Sequence, residues 1–142
     1  MNTTVPTPTV LNWGAIAAGA GATLAIGFSG SALLRAWLGE QGFGIGTIQA
    51  FFFLLSLVAD SVGGAVAGLM ARQRGALHGA LAMVGASAFG MLASLVMMSR
   101  QGSLEAMFNV GYLGQWLLYA LVGLGVGTLA GMVAARVAAK AS

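Results

Sequence analysis

Asp60 is the only acidic residue between Glu40 and Glu105, and it lies inside a long apolar run, Ile48 to Ala71, that holds no Lys or Arg. At 1.5 Å of helical rise per residue the carboxyl sits roughly 18 Å from either end of that run. That depth is the middle of a bilayer whose hydrocarbon core is about 30 Å thick. A carboxyl there faces a partner helix, a wet cavity or a ligand. Three chemistries follow. In the first, desolvation favours the neutral acid, which hydrogen-bonds across the bundle to Thr23, Ser87 or Thr128, the hydroxyls at similar depth in the other apolar segments. In the second, Asp60 is a proton- or cation-binding site of a small transporter or channel. In the third, it pairs with a basic group of another subunit. A second acid, a buried basic partner or a broken helix would favour ion transport, and the sequence offers none of these.

His78 is the only histidine. Imidazole ligates metals, so one reading makes it the axial ligand of a haem or chlorophyll-type pigment. The plainer reading is a polar residue in the headgroup zone, and no cofactor is then expected. No Ser-His-Asp set, paired acids or metal-ligand cluster appears, so the chain is not expected to be an enzyme. The absence of cysteine excludes disulfides and thiolate chemistry. The glycine-rich strings lie inside apolar runs and lack the Gly-Lys-Ser/Thr ending of a phosphate loop. The Met residues are expected to fill packing gaps.

The elements that position these residues are membrane spans. The chain of 142 residues is 58% hydrophobic and 6% charged, against about 25% charged in soluble domains. Four apolar segments reach the length of a span: 13–37, 46–71, 76–99 and 113–136. Backbone groups in lipid must pair within the segment, so an all-α, polytopic four-helix bundle is expected, with no soluble domain. Residues 1–12 form a short Pro/Thr-rich tail, and 13–142 form the membrane domain. No cleavable signal peptide or lipidation box is expected.

Charges fall at the segment ends. The N-tail, second connection and C-tail hold Arg72, Arg74, Arg136 and Lys140, and the other two connections hold Arg35 and Arg100. The Lys/Arg bias therefore places both termini in the cytoplasm, as for a bacterial inner-membrane protein. The four basic residues on that side fit anionic lipid headgroups rather than nucleic acid. Aromatic residues gather at the other interface, where Trp37, Phe43, Phe51, Phe52, Phe53, Phe108, Tyr112, Trp116 and Tyr119 lie. They read as an interfacial belt or as a docking surface for a partner helix.

Small residues recur every fourth position on each span. Gly19, Thr23, Gly27 and Ser31 form one ridge. Ser56, Asp60, Gly64 and Gly68 form the second; Ala82, Ala86, Gly90 and Ser94 the third; Gly123, Gly127 and Gly131 the fourth. Such ridges let helix backbones approach closely. A second small-residue face would remain for another protein or another copy of the chain. The halves also resemble each other. Gly14-Ala15-Ile16-Ala17 opens the first span and Gly79-Ala80-Leu81-Ala82 the third. Gly64 to Ala71 closes the second span and Gly127 to Ala134 the fourth, and Arg72 and Arg136 soon follow. Two tandem hairpins, 13–72 and 76–136, would be related by an axis along the membrane normal. Asp60 then aligns with Gly123.

The opening Asn12-Trp13-Gly14-Ala15-Ile16-Ala17-Ala18-Gly19 resembles the start of some small bacterial four-span membrane proteins of unknown function. The likeness covers about one helix and implies no activity. The reading that follows from these residues is an accessory or scaffolding subunit of a larger membrane complex, with a small oligomeric transporter or channel using Asp60 as the alternative.

Overall fold

The computed structural model describes residues 11–103, 105 and 108–141. Most of the Pro/Thr tail, residues 1–10, lies outside the described residues. Four helices long and apolar enough to cross a membrane make up the fold: α1 (Trp13–Gln41), α2 (Ile45–Ala71), α3 (Gly75–Arg100) and α4 (Val110–Lys140). The protein is an all-α, four-span integral membrane protein.

Local chemistry sets the helix ends. Asn12 caps α1 by accepting the Ala15 N–H at 3.0 Å, and Asn109 caps α4 by accepting the Gly111 N–H at 2.8 Å. Each cap satisfies a backbone donor that the first helical turn leaves unpaired. Gly42 ends α1 in the left-handed conformation, φ 65°. The α2–α3 turn is unusual because two arginines, Arg72 (φ 56°) and Arg74 (φ 51°), take positive φ. The Arg72 N–H caps α2 on the Gly68 carbonyl at 3.1 Å.

The N-terminus of α1, the α2–α3 turn and the C-terminus of α4 mark one end of the bundle, here the proximal end. The α1–α2 and α3–α4 connections mark the distal end. α2 touches all three other helices, and so does α3, whereas α1 and α4 do not meet among the described residues. The cross-section is a rhombus with α2 and α3 on its short diagonal. An exact two-fold between the hairpins would repeat the α2–α3 contact between α4 and α1, and that contact is not made.

The bundle is packed tightly at one end only. The buried residues are Ala15, Ile16, Gly19 and Thr23 of α1, Ala59 to Gly68 at intervals on α2, Gly75 to Ala86 on α3, and Gly123 to Ala135 on α4. All lie in the proximal half; Leu38 is the one exception. The cause is side-chain size. At the proximal half a Cβ on Gly64 would strike the Gly127 backbone, and one on Gly68 the Gly131 backbone. Gly75 and Gly79 approach Gly131 and Gly127 in the same way. Lipid supplies no hydrophobic drive between helices, so this backbone proximity is the source of their association. Met83, 1% exposed, is the largest side chain sealed in the core and fills the gap beside Gly127. In the distal half bulkier side chains stand between the helices: Leu55 of α2 lies against Gly30 of α1, and Phe53 of α2 packs on Tyr119 of α4.

Candidate functional site

Asp60 sits where the tight half gives way to the open half. Its carboxyl rests over Gly123 of α4, in the space a side chain there would need: a Cβ on Gly123 would lie 2.5 Å from Asp60 Oδ2. Beside it opens a cavity of about 260 Å³, lined from all four helices and including Thr23, Phe28, Ser31, Asp60, Ser87, Trp116 and Tyr119. Among the described residues, no Lys, Arg or His lines it.

The expected cross-bundle hydrogen bonds from Asp60 to Thr23, Ser87 or Thr128 are not made among the described residues. Thr23 lines the cavity but directs its hydroxyl to the carbonyls of Gly19 and Ala59, each at 3.3 Å. Thr128 donates within α4 to the Leu124 carbonyl at 2.6 Å. Helical Thr commonly bonds the carbonyl one turn back, and this preference wins over the longer reach to the acid. Ser87 shares the cavity with Asp60, yet neither makes a hydrogen bond among the described residues. The same holds for Ser31 and the Trp116 indole N–H. The Tyr119 hydroxyl accepts from Gln115 Nε2 at 3.2 Å and retains its own proton to donate. The site therefore combines a carboxyl, several hydroxyls and an indole donor with unspent hydrogen-bonding capacity, set among apolar and aromatic walls.

The packing glycines divide. Gly19 meets Gly63, Ala67 and Ala82; Gly64, Gly68, Gly123, Gly127 and Gly131 all lie at helix–helix contacts. Gly27 and Gly90, expected on the same ridges, face open space: a Cβ at either would meet nothing within 4 Å. Gly27, at the middle of α1, lines the cavity beside Asp60, and Gly90 lies in the distal half of α3. Gly63, Gly75 and Gly79 are contact glycines that the ridge pattern did not single out. Gly63 was visible in the series Ala59, Gly63, Ala67, which shares the fourth-residue spacing.

His78, in the first turn of α3 at the proximal end, is buried at 4% exposure. The Asn12 backbone N–H donates to His78 Nε2 at 3.0 Å, and His78 Nδ1 lies 3.1 Å from the Arg74 carbonyl. An acceptor role for Nε2 places the ring proton on Nδ1, which donates to Arg74. Both nitrogens are thus engaged, and an axial ligand to a pigment would first have to break the tie to Asn12. The Asn12 side-chain amide also reaches the Met70 carbonyl at 3.5 Å. Asn12 and His78 together knot the start of α1 to the end of α2 and the start of α3. Arg72, Arg74, Arg136 and Lys140 are exposed at this proximal end.

At the distal end Trp37, Phe43 and Phe51 form a cluster with centroids 5.8–6.1 Å apart. Phe53 packs on Tyr119 at 5.4 Å, and Arg35 lies 5.7 Å over the Phe52 ring. These rings pack chiefly on one another across the α1–α2 hairpin and, through Tyr119, onto α4.

The features define a class: a small four-span membrane protein with an intramembrane carboxyl at the edge of a half-open cavity. Compared with known proteins, the chain matches no family model, no curated protein and no solved structure.

Proposed function

We propose that the chain is an accessory or scaffolding subunit of a larger membrane assembly, with both termini in the cytoplasm of a bacterial cell. The observation that supports this most is the uneven packing. The proximal half is closed by backbone contact, while the distal half leaves small-residue positions such as Gly90 and Gly114 with no neighbour for a Cβ. A helix from another subunit finds there the close approach that this chain's own helices do not use. The reading involves no catalytic step, no nucleic acid and no bound cofactor. The basic residues of the proximal end match an anionic lipid surface.

A second reading, a small oligomeric transporter or channel, is favoured by one specific observation: the Asp60 carboxyl opens on a cavity without a hydrogen-bond partner among the described residues. Purification in mild detergent separates the two. Co-purification of different membrane subunits in fixed ratio supports the accessory role. A homo-oligomer whose proton or cation flux in liposomes is lost in Asp60→Asn refutes it and supports transport.

A further inference from the structure

We infer that the Asp60 cavity is a binding site for a small organic cation, an alkylated ammonium carrying an apolar or aromatic arm. The inference rests on the Asp60 reading just given and names its ligand class. Three observations point the same way. The first is charge: one carboxyl and no basic side chain line the cavity, so an entering cation meets an unopposed partner. The second is the wall. Phe28, Trp116 and Tyr119 share the cavity with the acid, and aromatic rings attract cations within about 6 Å of their centroids. The third is size. An apolar cavity of about 150 Å³ holds benzene, and drug-sized ligands occupy about 300–1,000 Å³. The 260 Å³ here lies between those limits.

The same features argue against a metal ion. A hard cation such as calcium takes six to eight oxygen ligands, and among the described residues no group of three His, Cys, Asp or Glu comes together. A single carboxyl among apolar walls suits a weakly hydrated ammonium instead. The depth of Asp60 in the bilayer sets the cavity apart from the headgroup zone, which favours a free cation over the ammonium of a resident lipid.

The test is binding in a neutral maltoside detergent. Trp116 lines the cavity, so a variant with Trp13→Phe and Trp37→Phe reports from that position alone. The probe is phenyltrimethylammonium, and its control is tert-butylbenzene, the uncharged molecule of nearly the same shape. The expected result is a saturable change in Trp116 emission with the cation, weakened at least tenfold in Asp60→Asn and absent with the control. Gly27→Leu is the second variant. A side chain there meets nothing within 4 Å, so it fills the cavity while leaving the acid and the packed half intact, and it too must weaken binding at least tenfold. Equal binding to Asp60→Asn, equal response to tert-butylbenzene, or no saturable change in the parent protein overturns the proposal. Binding that obeys these rules in a protein without flux keeps the site and removes transport.

Discussion

Glycine-to-alanine substitution at two positions of one chain should move stability in opposite directions. At Gly68 an added methyl would enter the Gly131 backbone, with its carbonyl oxygen, carbonyl carbon and Cα all closer than 3 Å. Backbone cannot rotate away as a flexible side chain does, so α2 and α4 must separate. Overpacking of this kind costs about 1–3 kcal/mol. At Gly125, on the outward face of α4, the same methyl meets nothing within 4 Å. There only the intrinsic gain of Ala over Gly in a helix remains, about 0.5–1 kcal/mol in the stabilising direction. That gain also partly offsets the loss at Gly68, leaving a net cost of up to about 2.5 kcal/mol. The assay is reversible unfolding in mixed micelles as the denaturing detergent fraction rises, followed by far-UV and Trp signals. Gly68→Ala should unfold at a lower denaturant fraction than the parent protein, and Gly125→Ala at the same fraction or higher. Equal midpoints for the two variants would show that the α2–α4 backbone contact does not hold the bundle together.

Two further outcomes follow from the proximal end. His78→Ala removes the acceptor of the Asn12 N–H and should cost about 0.5–1.5 kcal/mol for the hydrogen bond lost, with hydrogen exchange accelerated at the start of α1 and unchanged at the distal end. Arg74→Gly relieves a left-handed backbone that L-residues adopt at a cost of about 1–2 kcal/mol. It should raise the unfolding midpoint, and a lowered midpoint would show that the arginine side chain contributes more than its backbone costs.

The spans were legible because hydropathy over twenty residues is a strong and local signal. The observed ends run a few residues past the apolar segments, to Gln41 and Lys140, and at Gln41 the left-handed Gly42 rather than hydropathy stops the helix. Asp60 stood out for the same reason, as a charge where lipid tolerates few. The cavity beside it was not legible. Its existence depends on which positions of a ridge meet another helix, and fourth-residue spacing is the same in a packed ridge and an unpacked one. Gly27 and Gly90 share the spacing of Gly19 and Gly64, but no other helix comes within 4 Å of a Cβ there. The partner of His78 was not legible because Asn12 belongs to a different helix end, and no local pattern joins them.

The seat of the Asp60 carboxyl on Gly123 has an evolutionary corollary. The acid occupies the volume that any larger residue opposite would claim, so the two sites are yoked in descent. A lineage that acquires even a methyl group at 123 must evict or relocate the acid, whereas one that loses the acid is released to fill that hollow. Among sister genes, aspartate at the first site should therefore travel with glycine at the second, and mutational drift at either should be paced by the other.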